Sequence, residues 1–220
     1  MTEPDTFRKG RRKKTDWLEY YRAYNDNKYY RATSRGPAWD TLTKALSLFD
    51  AEGFEREERF AIDLGCGSGR DTFELLRRGW KVLAVDSEPE AIRWVRSVTL
   101  AKYRGRLETR LVSFERVRLP KSDLVNASYS LPFCPPDHFD SFWRKILASI
   151  RPRGRFAGHF FGEHDEWASD SNLTFHSAAR VKAILRQLKT EFLAEKEWNG
   201  TTAQGQRKHW HVFSVVARKS

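Results

Sequence analysis

The chain has only two cysteines in 220 residues, Cys66 and Cys134, too few for a disulfide framework or a thiolate-held structural zinc site. Both are expected to be reduced thiols. No apolar run approaches the roughly 20 residues that a membrane span needs, and the start, MTEPDTFRKG, lacks the apolar segment of a signal peptide. A cytoplasmic protein with no membrane partner is expected from these absences. No internal repeat or low-complexity linker interrupts the chain, and its length suits one domain with a substantial core better than two.

What is present points to a folded chain. Hydrophobic residues make up 40% and aromatics 14%, enough apolar surface to drive folding. The net charge of +11 suggests a polyanionic partner only until its source is located. Arg8, Lys9, Arg11, Arg12, Lys13 and Lys14 concentrate much of it in one run, FRKGRRKK. Such a run reads first as a solvated tail and second as an arm for nucleic acid. The expected layout is a basic flexible tail at 1–15, an N-terminal helical cap at 16–52 and the main domain at 53–220, together one globular body.

From about residue 40 onward, short apolar runs alternate with segments of helical period, the rhythm of βαβ units. RFAIDL, KVLAVD, LETRLVSF, SDLVNASY and RFAGHFF read as five strands. Between them lie predicted helices at Arg70 to Arg78, EPEAIRWVRSVTLAKY and HFDSFWRKILASI, with AARVKAILRQL, capped by Ser177, after the fifth. The last two runs, EFLAEKEW and HWHVFSVVAR, are joined by a polar loop and read as an antiparallel hairpin. The predicted fold is therefore α/β: a mostly parallel sheet, helices on both faces and one reversed strand near an edge.

The stretch AIDLGCGSGRDT carries the chemistry. Gly65, Gly67 and Gly69 permit a tight strand-to-helix turn and close approach of a ligand, and the helix after them offers free N–H groups. A dinucleotide fingerprint would need a third glycine at position 70, which is Arg70, so that reading weakens. Asp63 stands two residues before the first glycine, and Asp86 closes the second strand, where a carboxylate can accept both hydroxyls of a ribose. Ser113, Phe114 and Glu115, at the end of the third strand, can hold an adenine.

With IDLGCGSG, VLAVD and the terminal hairpin, the sequence resembles the class I S-adenosylmethionine-dependent methyltransferases, a Rossmann-like family with a seven-stranded sheet. Among them it looks most like small stand-alone bacterial enzymes of the tellurite-resistance type. The resemblance implies S-adenosyl-L-methionine as cofactor, with Asp63, Gly65, Cys66, Gly67 and Gly69 around its methionine part. It implies Asp86 at the ribose and Phe114 and Glu115 at the adenine, with Ser87 and Asn126 as further cofactor contacts. Members that methylate amines of nucleic-acid bases or glutamine carry Asn or Asp, Pro, Pro and an aromatic after the fourth strand. Ser130, Leu131, Pro132 and Phe133 keep only the second half of that pattern, so base or amide methylation is not indicated.

His159 and Tyr129 are the candidate catalytic residues, because both fall on the acceptor side of such a fold. His209 and His211 share one face of the last strand and Trp210 and Val212 the other, so only one pair can face the pocket. No metal is expected: Glu163, His164 and Asp165 are adjacent and point in different directions. Trp17, Tyr20, Tyr21, Tyr24, Tyr29 and Tyr30 form either a packed helix face or a lid over a sulfonium. The expected activity is methyl transfer to a small polar metabolite, with WNGTTAQGQRK setting acceptor choice. A nucleic-acid methyltransferase guided by the basic tail and a catalytically silent cofactor-binding protein are the alternatives.

Overall fold

Alternate residues of the central strands are apolar on both sides, and a sheet of that kind must be covered twice. In the computed structural model, which describes residues 27–53 and 58–220, it is. The basic tail and Trp17, Tyr20, Tyr21 and Tyr24 lie outside the described residues. Strands β1 (Phe60–Leu64), β2 (Lys81–Asp86), β3 (Leu107–Leu111), β4 (Ser122–Ala127) and β5 (Ile150–Gly162) pair in parallel in the order 3-2-1-4-5. β8 (Arg207–Arg218) then runs antiparallel to β5, and β7 (Lys189–Thr201) closes the edge antiparallel to β8. β8 is the one reversed strand that the terminal hairpin predicts.

Ile62, Val125, Phe156 and Phe160 face Phe139, Phe142, Trp143 and Ile146 of α5 (Pro136–Ser149) on one side. On the other, Ala61, Val82, Leu124, Ala157 and Val216 meet α2 (Asp40–Ala51) and α3 (Arg70–Arg77) through Leu42, Leu46, Phe49, Leu75 and Leu76. α2, read from sequence as part of a cap, is thus one of the helices that bury the sheet. Its end is anchored by Arg155, fully buried, which donates to Glu52 and Glu191 at 2.7 Å each and lies 4.4 Å from the centre of the Phe49 ring. α1 (Asn27–Ser34) packs against α4 (Pro89–Val98) through Tyr30 and Trp94, whose rings stack at 6.1 Å. The last helix, α6 (Ala178–Ile184), is capped by the Ser177 hydroxyl, as expected.

Several features differ from the periodicity. α4 stops at Val98, because Thr99 turns extended, and a 3-10 segment covers Ala101–Arg106. β5 begins at Ile150, so the RPRG turn lies within it, with Arg153 at φ +65°. An eighth strand, β6 (Phe175–His176), pairs with the end of β5; two residues are too few to show a period. Among the described residues no helix is long and apolar enough to cross a membrane.

Candidate active site

After Leu64 the chain turns through Gly65, Gly67 and Gly69 at φ +68°, +48° and +77°, left-handed angles that a Cβ disfavours. Space is limiting as well. A Cβ on Gly65 would lie 2.4 Å from the Cβ of Ser130, and one on Gly69 would strike Phe73 and Val95 at under 3 Å. Gly65 therefore lets the loop after β4 approach, while Gly69 lets α3 and α4 close together. The Gly67 N–H donates to Asp86 Oδ2 at 2.8 Å, and the Glu88 N–H to Oδ1 at 2.9 Å. Each oxygen of Asp86 keeps a lone pair for a ligand hydroxyl. Burial pushes this carboxyl up to about 6, against the pull of the two N–H bonds.

A pair of carboxylates, Asp63 and Asp71, shares one donor nearby. Asn126 Nδ2, fully buried on β4, donates to Asp63 Oδ1 at 2.9 Å and to Asp71 Oδ2 at 2.8 Å. The register explains it: Asp63 on β1 is paired with Asn126, and Asp71 sits in the first turn of α3. The Thr72 hydroxyl donates to Asp63 at 2.6 Å and the Trp39 N–H to Asp71 at 2.9 Å. Burial, and then the neighbouring Asp71 charge, push Asp63 up to about 7. The pair also ties the segment before α2 to the glycine loop, since the Arg70 guanidinium stacks on Trp39 at 4.0 Å and donates to the Pro37 carbonyl.

These groups line one end of a cleft of about 770 Å³. Asp63, Gly65, Cys66, Gly67, Asp86, Ser87, Phe114 and Glu115 all face it, so eight of the predicted cofactor contacts converge. The Phe114 ring stacks on Phe142 at 4.7 Å, which fixes its plane. Burial pushes the Cys66 thiol well up, so it stays protonated and inert. Tyr29 and Tyr30 line the same end. Gly69 and Asn126 do not face the cleft; they hold the groups that do.

The other end is aromatic: Tyr129, Phe133, Phe161, Trp167, Trp198 and Trp210, with Thr201 at the end of β7 and Thr202 and Gln204 from the loop of the β7–β8 hairpin. Tyr129 stands between the two ends at φ +54°, a strained angle for a bulky residue, and burial pushes its phenol up to about 12. Its ring stacks on His159 at 4.0 Å. His159 itself is fully buried beneath Tyr129 and does not reach the cleft; its Nε2 lies 3.3 Å from Asp40 Oδ1. Trp210, not His209 or His211, is the residue of β8 that faces inward.

Sequence reasoning passed over the group that holds this wall. Lys208 Nζ is buried 3.5 Å from the centre of the Trp210 ring, 4.0 Å from Trp167 and 4.7 Å from Phe161, and 2.6 Å from Asp165 Oδ1. Burial lowers its ammonium to about 8 despite the Asp165 bond. Gln204 Oε1, also buried, has no hydrogen-bond partner among the described residues. Asp71 and Lys208 were hidden for one reason: each acts on residues far away in the chain. Only Asp71, at the start of the glycine-loop helix, carried a local signal.

Residues 61–154 match the methyltransferase domain family. Among solved structures, TehB from Haemophilus influenzae superimposes with a TM-score of 0.66 at 16% identity, covering 94% of this chain and 68% of TehB. Magnesium protoporphyrin IX methyltransferase from Synechocystis PCC 6803, solved with S-adenosylmethionine, gives 0.65 at 14% identity, with 97% and 100% covered. The 1,6-didemethyltoxoflavin-N1-methyltransferase of Burkholderia thailandensis, solved with S-adenosylhomocysteine, gives 0.61 at 18%, with 94% and 87% covered. Against curated proteins the sequence has no significant match. Residues 61–154 thus carry a methyltransferase domain, and the chain has the fold of these solved methyltransferases. The methyltransferase domain implies S-adenosylmethionine as cofactor, as the glycine loop and Asp86 led the sequence reading to expect.

Proposed function

We propose that this methyltransferase acts on a small molecule with a flat, conjugated ring and at least one N–H or O–H donor. The observation that carries the reading is the acceptor end: its walls are Tyr129, Phe161, Trp167, Trp198 and Trp210, and the buried Gln204 carbonyl among them lacks a donor. Aromatic walls favour a flat π-face by stacking or edge contact. This sharpens the expected polar metabolite into a ring with a polar edge. That similar structures include enzymes named for small-molecule acceptors agrees with it.

The roles follow from position. Asp86 and Ser87 take the ribose, Phe114 and Glu115 the adenine, and Asp63, Gly65, Cys66 and Gly67 surround the methionine part. When bound, the cofactor supplies a sulfonium methyl that is open to in-line attack. Asp63 and Asp71 face the cationic part of that ligand, which favours their ionised forms. Tyr129, held by strain and by His159 behind it, marks the border between cofactor and acceptor. A phenol pushed up to about 12 is protonated at neutral pH, so Tyr129 orients and excludes water rather than removing a proton. His159 is then a positioning residue.

Among the described residues the acceptor end has no carboxylate or imidazole facing the cleft. Transfer there relies on alignment and exclusion of water, so the acceptor atom must already be nucleophilic, as a ring nitrogen lone pair or an ionised oxygen is. The test is release of S-adenosylhomocysteine with a panel of heteroaromatic and aliphatic acceptors. Turnover confined to flat rings, and weakened by Trp210→Ala through KM, supports the reading; turnover with aliphatic amines alone ends it.

A further inference from the structure

Three histidines with no part in the proposed chemistry meet around one carboxylate on the outer face of the hairpin. His164 follows the end of β5, Glu197 lies on β7, and His209 and His211 lie on β8, with Glu197 paired across the ladder with His211. Glu197 Oε1 is 3.0 Å from His164 Nδ1 and 3.8 Å from His211 Nε2, and Oε2 is 3.2 Å from His209 Nε2. The donor atoms of His164, Glu197 and His211 all fall within 4.8 Å of one another. Four ligands at about 2.0–2.1 Å from a tetrahedral metal stand about 3.4 Å apart, close to the spacing found here.

The arrangement is supported from behind. His211 is buried, and its ring occupies the space of a Cβ on Gly162, which would lie 2.2 Å from Nδ1. His209 Nδ1 lies 2.9 Å from Asn199 Oδ1, the kind of outer hydrogen bond that orients metal-binding imidazoles. The Lys208–Asp165 pair fixes the chain next to His164.

We propose that His164, His211 and Glu197 form a site for a divalent transition metal, with His209 or water in the fourth position. Imidazoles with one carboxylate suit zinc, nickel or copper(II), whereas magnesium and calcium prefer oxygen donors alone. In the metal-free chain the His164 N–H donates to His211 Nδ1 at 3.1 Å, which leaves the ring proton on Nε2, facing Glu195. A metal on Nε2 shifts that proton to Nδ1 and turns the His164 amide away, so binding reorders the turn at 163–165. The metal would staple this turn to the strands that carry Trp198 and Trp210. The sequence reading missed the site because it compared Glu163, His164 and Asp165 with one another, and the partners of His164 lie on two other strands.

The test is calorimetric titration of the untagged full chain with zinc chloride, and separately with magnesium chloride, at neutral pH. His164 and Glu197 are exposed, so His164→Asn and Glu197→Gln leave the fold intact. One zinc per chain, bound ~10-fold or more weakly by each variant, is the expected result, with a zinc-dependent rise in melting temperature only in the unaltered chain and no response to magnesium. Absence of saturable zinc binding, or zinc binding that both variants retain, overturns the proposal.

Discussion

The two ends of the cleft are built differently. At the end proposed for the cofactor, a short loop and the strand beside it form the surface: three glycines, Asp86 at the tip of the adjacent strand, and N–H groups that hold its carboxylate. At the end proposed for the acceptor, residues from β5, the turn after it, β7, β8 and their loop come together around a buried ion pair. The first end depends on backbone angles and can be disabled by one Cβ. The second depends on packing of large rings, so it can change acceptor without loss of the cofactor. Five substitutions or conditions probe that separation.

The largest effect is expected from Lys208→Met. It leaves Asp165 charged and buried among aromatics, and breaking such a pair costs about 3–5 kcal/mol. Chemical denaturation should show that loss, and adding Asp165→Asn should restore much of it. Asp86→Ala comes next, with little loss of stability but a large loss of cofactor affinity. Two charge-assisted hydrogen bonds at about 1.5–3 kcal/mol each correspond to a drop of more than tenfold per bond, measurable by titration. Gly65→Ala should reduce cofactor binding as strongly, because its Cβ would overlap Ser130.

A pH effect of intermediate size follows from Asp63 and Asp86, whose carboxyls rise on folding to about 7 and about 6. Groups raised in the folded state take up protons on folding, so their contribution is complete below about pH 4 and is lost as pH rises through 6 and 7. The cofactor-free melting temperature should therefore fall between about pH 5 and pH 8, and fall less in Asp63→Asn. A positively charged ligand favours the ionised pair, so cofactor affinity should rise over the same range. The smallest effect is expected from Tyr129→Phe, which keeps the ring over His159 and removes only a neutral hydroxyl. A bell-shaped activity profile abolished by that change would show that the phenol does transfer a proton.

The contrast also explains what could be read in advance. That Gly65, Gly67, Asp86 and Phe114 converge on one cleft was legible because a strand, a turn and a helix in immediate succession leave a local pattern, and parallel order places their ends together. The hairpin and the reversed β8 were legible from two alternating runs and a polar loop. His159 was assigned to the right strand, yet neither Asp40 at the start of α2 nor the left-handed Tyr129 could be seen closing over it, since both contacts span long stretches of chain. Lys208 carried no signal of its own at the end of WNGTTAQGQRK; only the converging rings of Phe161, Trp167 and Trp210 make it a buried cation.

The most direct test of two separable ends is calorimetric titration of S-adenosylmethionine and S-adenosylhomocysteine into the unaltered chain, Asp86→Ala and Trp210→Ala. Both ligands should bind the unaltered chain and Trp210→Ala with similar affinity and bind Asp86→Ala far more weakly. Equal weakening by Trp210→Ala, or undiminished binding by Asp86→Ala, would contradict the account.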